Sequence, residues 1–419
     1  MSKFIVNGGV SLRGEIGVCG AKNGILPVLA ATLLTEETCV IRNVPRLSDV
    51  DKMVAILKSL GADCVWEGEH ELRICAKNAD SARLDAGLVA GLRGSVLLMG
   101  PLLARFHDLK MPEPGGDIIG KRPLDTHYFA FAKMGAAAEE REDKTVRIRA
   151  PKGLVAALII LPEFSVTATE NALMAAAFTP GKTIIKLAAA EPHVEDLCAM
   201  LQKMGAKVKG AGTHTLEIEG AAKLRGCDHA IIPDALEVGT FAVAAAATKG
   251  EVLIKNAVPE HLDAVLNLMN EIGIPYRLEK NSLLILPAKQ LRPFRLQTLP
   301  YPGFPTDLQA PFAVLATQAE GMSLIHDPMY EGRLGYIPWL VKMGANAIVC
   351  DPHRAVISGP TRLHGYEIKA LDIRAGATLL IAGLIAKGET VLYDAEILDR
   401  GYERLYERLT ALGASIRRE

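Results

Sequence analysis

The chain has 419 residues, of which 49% are hydrophobic and 5% aromatic, and 47 Lys and Arg stand against 48 Asp and Glu. This charge balance argues against nucleic-acid and anionic-membrane partners, which bind through concentrated positive charge. Seven scattered cysteines without a C-x-x-C pair argue against a disulfide framework and a zinc ribbon. No apolar run reaches the roughly 20 residues of a membrane span, and the first residues do not resemble a signal peptide. We therefore expect a cytoplasmic protein that does not insert into membranes.

A glycine recurs at near-regular intervals along the whole chain, with spacings of 74, 70, 68, 71 and 69 residues. Each copy follows an amphipathic stretch of 11–14 residues with apolar positions at i, i+3, i+4 and i+7. This pattern predicts a helix that the glycine ends in a left-handed conformation. The six glycines are Gly61, Gly135, Gly205, Gly273, Gly344 and Gly413.

A second helix is predicted in each repeat, and it is apolar on nearly all sides, as a buried helix is. Each repeat therefore consists of a buried helix, a strand, an amphipathic helix and two short strands. In chain order, buried helices are predicted at 23–34, 93–104, 169–178, 238–250, 307–321 and 374–388, and amphipathic helices include 48–60, 193–204 and 402–412.

Six copies of one α+β unit exceed a single ordinary core, so we expect two domains of three repeats each. Residues 21–229 are predicted to form domain 1, and residues 1–20 with 230–419 to form domain 2. The N-terminal strand would pair within domain 2. The fold class is α/β, with six repeats of a βαβαββ-like unit.

Polar and charged residues stand at the starts of these helices. Helix N-termini present free N–H groups and a positive dipole end, which attract anions. Any single Arg there is more often a surface charge, and Asp372 could simply pair with Arg374. Repetition along the chain nevertheless favours a ligand that carries phosphate or carboxylate groups. The residues are Lys22, Asn23, Arg93, Ser165, Thr167, Asp307, Asp372 and Arg374 at the apolar helices, and Arg122, Arg333 and Arg400 ahead of amphipathic ones.

The segment MPEPGGDIIGKRPLD (111–125) is rich in Pro and Gly and has Asp117 at its centre. It is predicted to be a loop that closes over a ligand, although such a segment is by itself an ordinary turn. Nucleotide-cofactor fingerprints are missing, since there is no G-x-x-x-x-G-K-[ST] and no G-x-G-x-x-G after a strand. His127, His193 and His261 lack metal-ligand spacing, so structural or surface roles are expected.

With these features the chain resembles the enolpyruvyl transferase superfamily along essentially its whole length. The most specific motifs are GAKNGILP (20–27), PGGDIIGKRPLD (114–125), FPTDLQA (304–310), DIRAGATLLIAG (372–383) and DRGYER (399–404). The GAKN segment distinguishes it from 5-enolpyruvylshikimate-3-phosphate synthase. The resemblance implies two inside-out α/β barrel domains of three repeats each, with the active site in the cleft between them.

The activity implied by the resemblance is transfer of enolpyruvate from phosphoenolpyruvate to the 3′-hydroxyl of UDP-N-acetylglucosamine, with release of phosphate. This addition–elimination reaction needs no metal or organic cofactor and is the first committed step of peptidoglycan synthesis. Two alternatives remain open: transfer to a different hydroxyl acceptor, and a non-catalytic paralogue that binds a UDP-sugar. An RNA-end cyclase of related fold would need a nucleotidylated His, and no His lies in a matching setting.

The resemblance also implies roles for individual residues. Asp307 would take the proton of the sugar hydroxyl, and Asp372 would assist proton movement at C3. The phosphate would be held by Lys22, Arg122 and Arg400, the carboxylate of phosphoenolpyruvate by Arg333 and Arg374, and Arg93 would add positive field. The UDP-sugar would contact Asn23, Arg122, Pro123, Leu124, Asp125, Ser165, Val166 and Thr167.

Three positions depart from the family pattern. Asp117 stands where many members have the Cys that fosfomycin alkylates, so we expect insensitivity to fosfomycin and a general-acid role for Asp117. Nearby cations would lower the pKa of this carboxyl, whereas desolvation on loop closure would raise it. Glu163 replaces a Lys and Ala235 an Arg of the enterobacterial form, changes that are expected to weaken nucleotide contacts.

Overall fold

The computed structural model describes residues 2–116, 120, 122–141 and 145–419. Contacts within the chain divide it into two compact units. The N-terminal unit contains residues 20–116 and Arg122–Ile232, and the C-terminal unit contains residues 2–19, Gly120 and Pro233–Glu419.

The second boundary lies three residues beyond the predicted 229/230. Backbone hydrogen bonds explain this position, because Ile231 donates to the carbonyl of Arg42 and Ala21 donates to the carbonyl of Ile232. Both bonds keep residues 231 and 232 with the N-terminal unit.

The strands β1 (Lys3–Asn7) and β2 (Arg13–Gly17) belong to the C-terminal unit. The N-terminal unit follows. Its strands are β3 (Thr38–Arg42), β4 (Asp63–Gly68), β5 (Glu71–Cys75), β6 (Asp108–Met111), β7 (Ala137–Glu140), β8 (Val146–Arg149), β9 (Leu158–Ile160), β10 (Gly181–Lys186), β11 (Lys207–Lys209), β12 (Thr215–Gly220) and β13 (Asp228–Ala230). Its helices are α1 (Lys22–Ala31), α2 (Ser48–Ser59), α3 (Ala86–Ala90), α4 (Met99–Phe106), α5 (Asp125–Lys133), α6 (Val166–Ala177) and α7 (Pro192–Met204), with 3-10 turns at Thr32–Leu34, Ser81–Arg83 and Arg93–Leu98.

The rest of the C-terminal unit repeats the same kinds of element. Its strands are β14 (Glu251–Lys255), β15 (Tyr276–Glu279), β16 (Ser282–Ile285), β17 (Arg295–Gln297), β18 (Gly321–His326), β19 (Asn346–Asp351), β20 (Arg354–Gly359), β21 (Glu367–Lys369), β22 (Glu389–Tyr393) and β23 (Ser415–Arg418). Its helices are α8 (Ala235–Ala247), α9 (Asp263–Ile272), α10 (Thr306–Ala316), α11 (Ile337–Lys342), α12 (Ile373–Ile385) and α13 (Leu405–Ala411), with 3-10 turns at Pro259–His261 and Ala395–Arg400.

One sheet pattern recurs through the described chain and accounts for the repeat. A parallel pair is followed by two antiparallel neighbours in the orders β13-β3-β5-β4, β9-β10-β12-β11, β2-β14-β16-β15, β17-β18-β20-β19 and β21-β22-β1-β23. The sheet β6-β8-β7 has three antiparallel strands. The start of the chain completes the last repeat, because β1 lies between β22 and β23.

The apolar helices form the centre of each unit, as their composition predicts. In the C-terminal unit α8, α10 and α12 contact one another. In the N-terminal unit α4 contacts α6, and the 3-10 turn Arg93–Leu98 contacts both α1 and α6. The longest helices of the described chain have 13 residues, and none is a candidate for crossing a membrane.

The six repeat glycines all have positive φ, between 86° and 114°, which confirms the predicted left-handed helix ends. Four amphipathic helices are shorter than the predicted 11–14 residues: α9 has ten residues, α5 nine, α13 seven and α11 six. The helix predicted from residue 402 begins only at Leu405, since Arg404 has a left-handed φ of 47°. The helix predicted at 93–104 begins as a 3-10 turn.

Candidate active site

A carboxylate between two guanidinium groups forms the centre of a cluster in the C-terminal unit. Asp307 is the second residue of α10, and its Oδ1 accepts a hydrogen bond from Arg333 Nη2 at 2.6 Å. Its Oδ2 accepts from Arg374 Nε at 3.2 Å and lies 3.1 Å from Nη2 of the same side chain. The side chains of Arg333 and Arg374 are only 10% and 6% exposed. Charge-assisted bonds of this kind are strong and directional.

Asp372 extends this cluster through the start of α12. Its Oδ1 caps the helix by accepting from the backbone N–H groups of Arg374 and Ala375 at 2.8 and 3.0 Å. The same oxygen lies 4.0 Å from Arg333 Nη1. Asp372 and Arg374 are thus paired through the backbone of Arg374, whereas the guanidinium of Arg374 binds Asp307.

A buried phenol holds the other side of Arg374. Nη1 of Arg374 donates to Tyr402 Oη at 3.0 Å, and Tyr402 Oη lies 3.0 Å from Thr240 Oγ1. The single hydroxyl proton of Thr240 is used in its hydrogen bond to the carbonyl of Leu236. In the bond between Tyr402 and Thr240, the Tyr402 hydroxyl is therefore the donor. Burial lowers the pKa of Arg374, but Tyr402 and Asp307 outweigh it and raise the pKa above its usual value. The guanidinium therefore stays charged.

Arg333 is held by its backbone as well as by Asp307. Buried Tyr336 donates to Gln309 Oε1 at 2.8 Å, and Gln309 Nε2 donates to the carbonyl of Arg333 at 3.2 Å. The Nε of Arg333 is buried and has no hydrogen-bond partner among the described residues. A buried N–H without an acceptor is costly, so this donor suits an anionic ligand. Arg400, the last residue of a 3-10 turn, is half-buried.

A second cluster lies in the N-terminal unit, at the start of α1. The ammonium of Lys22 lies 3.2 Å from Asp49 Oδ2, and their side chains are 14% and 2% exposed. Lys22 is the first residue of α1 and Asp49 the second residue of α2. Asp49 therefore orients the ammonium where two helices begin.

Arg93 and Arg122 are also joined in this unit. Arg93 Nη2 donates to the carbonyl of Arg122 at 2.5 Å. Gly116 has a φ of 124°, and a Cβ on it would lie 2.5 Å from Cβ of Arg93 and 2.9 Å from Nη2 of Arg122. Only glycine allows the backbone of this loop to approach the two arginines so closely.

A buried imidazole supports the first turn of α6. Asn171 Nδ2 donates to His127 Nδ1 at 3.0 Å, so Nε2 carries the proton and donates to Thr167 Oγ1 at 3.1 Å. Asn171 is itself fixed by bonds to the carbonyl of Val96 and the N–H of Gly100. Burial, with the nearby charge of Arg93, lowers the pKa of His127 to about 3. The expected structural role of His127 thus includes orienting Thr167.

Other predicted site residues lie at helix starts. Ser165 caps α6, accepting from the N–H of Ala168 at 3.4 Å, and Val166 is the first residue of that helix. Exposed Glu163 accepts from Thr126 Oγ1 at 2.8 Å. Asn23 is the second residue of α1, Asp125 is the first of α5 directly after Pro123 and Leu124, and Ala235 is the first of α8. Asp117 and Lys121 lie outside the described residues.

Both clusters combine carboxylates with cations, a composition that suits phosphate and carboxylate ligands better than a metal ion. In the C-terminal cluster Asp307 is available as a proton acceptor between two fixed positive charges. Sequence reasoning missed the residues that hold these groups in place. Tyr402 and Gln309 had a signal, since they lie within the DRGYER and FPTDLQA motifs, whereas Asp49, Asn171 and Tyr336 had none. His127 was expected to have a structural or surface role, but its partners were not predicted.

Comparison with known proteins identifies relatives across the full length. The family model of EPSP synthase (3-phosphoshikimate 1-carboxyvinyltransferase) matches residues 6–409. A UDP-N-acetylglucosamine 1-carboxyvinyltransferase from Treponema denticola is 41% identical over 99% of both chains. One of the same name from Bradyrhizobium diazoefficiens is 43% identical over 99% of this chain and 98% of its own.

Solved structures agree on the fold. The enolpyruvyl transferase NikO from Streptomyces tendae superposes with a TM-score of 0.91 at 26% identity, covering 100% of this chain and 99% of its own. EPSP synthase from Acinetobacter baumannii shares the fold, with a TM-score of 0.75 at 20% identity over 100% of both chains. The predicted fold class, two domains built from six repeats, is therefore confirmed. The chain belongs to the EPSP synthase family of enolpyruvyl transferases.

Proposed function

We propose that this enzyme transfers enolpyruvate from phosphoenolpyruvate to the 3′-hydroxyl of UDP-N-acetylglucosamine and releases phosphate. The observation that carries the proposal is Asp307, held by hydrogen bonds to both Arg333 and Arg374. Support comes from relatives at 41% and 43% identity that bear the name of this activity.

In the C-terminal cluster, Asp307 takes the proton of the sugar hydroxyl as that hydroxyl adds to C2 of phosphoenolpyruvate. Arg333 and Arg374 bind the carboxylate of phosphoenolpyruvate, which suits planar guanidinium donors. The unpartnered Nε of Arg333 supports this assignment. Asp372, beside Arg333, assists proton movement at C3.

Lys22 and Arg122 of the N-terminal unit and Arg400 of the C-terminal unit are proposed to bind the phosphate that leaves, and Arg93 to add positive charge. Asp49 supports the role of Lys22, because it holds the ammonium at 3.2 Å. We propose that both clusters act on one pair of substrates. Positive charge that is already oriented stabilises the developing negative charge without reorganisation.

The UDP-sugar is proposed to contact Asn23, residues 122–125 and the segment Ser165, Val166 and Thr167. Support comes from the fixed orientation of Thr167 by His127. The enterobacterial form has Lys and Arg at the positions of Glu163 and Ala235. Because these two positive charges are missing here, contacts with the nucleotide are expected to be weaker.

Asp117 is proposed as the general acid that protonates the leaving group. Since a carboxylate does not react with an epoxide as a thiolate does, the enzyme is expected to resist fosfomycin. The enzyme is proposed to act in the cytoplasm, where it catalyses the first committed step of peptidoglycan synthesis. Through cell-wall synthesis it is proposed to affect cell shape and cell division.

The test is phosphate release with purified protein. With phosphoenolpyruvate and UDP-N-acetylglucosamine together, we expect turnover that disappears in Asp307→Ala. Shikimate 3-phosphate replaces the acceptor in the control and should give no phosphate. Release only with another hydroxyl acceptor would reassign the substrate. Binding of the UDP-sugar, measured as thermal protection, without turnover would indicate a non-catalytic paralogue.

A further inference from the structure

Two cysteines far apart in sequence meet at the edge of a sheet in the N-terminal unit. The strands β13 and β3 are parallel, with Asp228 opposite Val40 and His229 opposite Ile41. One residue earlier, the N–H of Val40 donates to the carbonyl of Cys227 at 2.8 Å, which extends the register to Cys227 opposite Cys39.

Register places both thiols on one face of the sheet, because side chains directly opposite each other point the same way. Neighbouring strands lie about 4.8 Å apart, within the Cα separations of about 4.4–6.8 Å that a disulfide bridges. Cys75 is excluded from this face, since it pairs with Thr38, whose side chain points to the opposite side from that of Cys39.

The two thiols differ in character. Cys39 is fully buried, whereas Cys227 is partly exposed. The neighbouring side chain of Cys39 lowers the pKa of Cys227 against the effect of burial, and the ammonium of Lys203 lowers it further. That ammonium donates to the carbonyl of the next residue, Asp228, at 3.1 Å. A partly exposed thiol of lowered pKa beside a buried thiol is the arrangement of an oxidant-sensing pair.

We propose that Cys227 and Cys39 form a reversible thiol–disulfide pair, in which Cys227 meets the oxidant and Cys39 resolves it. Hydrogen peroxide, the oxidant, is attacked by the Cys227 thiolate, which becomes a sulfenic acid as hydroxide leaves. The Cys39 sulfur then attacks the Cys227 sulfur, the S–O bond breaks, and the Cys39 proton leaves with the oxygen as water. Peroxide gains two electrons and the pair loses two. A thiol reductant restores both cysteines.

The test is peroxide treatment of the full chain near neutral pH, followed by alkylation of free thiols and mass spectrometry of peptides. We expect one dithiothreitol-reversible link between the peptides that contain Cys39 and Cys227. Cys227→Ser should lose the link. Cys39→Ala should instead accumulate sulfenic acid at Cys227, trapped by dimedone. Cys350→Ser removes an exposed thiol elsewhere and should keep the link, so it is the matched control.

Three results would overturn the proposal. One is a link through a different pair, such as Cys39 with Cys75. Another is oxidation of Cys227 in wild-type protein no faster than that of Cys350. The third is sulfenic acid that persists at Cys227 while Cys39 remains free. Because the primary measurement uses wild-type protein, it does not depend on the folding of any variant.

Discussion

Tyr402 accepts a hydrogen bond from Arg374 at 3.0 Å in the interior of the C-terminal unit. The Tyr402 hydroxyl in turn donates a hydrogen bond to Thr240 Oγ1, which donates to the carbonyl of Leu236. Each polar atom in this series of hydrogen bonds therefore has a partner. Burial raises the pKa of Tyr402, which therefore remains a neutral phenol. Arg374 is thus held from one side by the charge of Asp307 and from the other by a neutral acceptor, and Tyr402 acts as a positioning residue.

Replacing Tyr402 by Phe is expected to raise the KM for phosphoenolpyruvate about 10-fold, with a smaller change in kcat. The loss of one hydrogen bond to a charged group corresponds to about 1.5 kcal/mol. Steady-state kinetics with each substrate varied in turn measures this split. Thr240→Val should raise the KM for phosphoenolpyruvate by a smaller factor. Tyr406→Phe is the control and should leave this KM unchanged, because the Tyr406 ring packs on Phe4. An equal rise in the KM for the UDP-sugar would contradict the role of Tyr402 in positioning Arg374.

Asp307→Asn should reduce turnover about 1,000-fold, because the amide cannot accept the hydroxyl proton. It should also lower the free energy of unfolding by about 3 kcal/mol, since two buried guanidinium groups lose their counter-charge. Phosphate release and urea denaturation measure the two effects. Asp351→Asn breaks a surface pair with Arg354 and should change neither quantity appreciably. Turnover close to wild type would remove Asp307 from the reaction.

Asp117→Asn is expected to slow turnover and to remove one limb of the pH–rate profile, because an amide cannot donate a proton to the leaving group. Asp117→Cys should make the enzyme sensitive to fosfomycin, whereas the wild-type chain keeps its activity. Inactivation is followed as residual phosphate release after incubation with the antibiotic. Stoichiometric inactivation of wild-type protein would mean that another nucleophile reacts.

His127 should make the N-terminal unit less stable in acid. Its pKa of about 3 in the folded chain lies below the 6.5 of a free imidazole. The unfolded chain therefore binds the proton first, and stability is full above pH 6.5 and falls as the pH drops toward 3. Between pH 7 and 5 this group should account for about 2 kcal/mol.

Urea denaturation at several pH values tests this window. His127→Gln should flatten the decline between pH 7 and 5, even though it loses stability at pH 7. His107→Asn alters an exposed imidazole at a left-handed position that Asn tolerates, so its decline should match wild type. Parallel curves for His127→Gln and wild type would show that His127 does not cause the decline.

Local patterns were sufficient for the repeat architecture. The spacing of Gly61, Gly135 and their four equivalents predicted the left-handed helix ends, because only backbone sterics act there. The all-apolar helices predicted which elements are buried. The same reasoning overestimated α13, since a left-handed Arg404 delays its start.

The amino-acid sequence by itself determined the six repeats, the buried helices and the positions of charged residues at helix starts, because each depends on neighbours within one or two turns of the chain. Only the tertiary structure decided which of these charges pair. The contacts of Asp307 with Arg374, Arg374 with Tyr402, and Thr167 with His127 join residues 28 to 67 positions apart. Such partners are selected by packing and by the cost of leaving a buried polar atom unpaired, which no local pattern records.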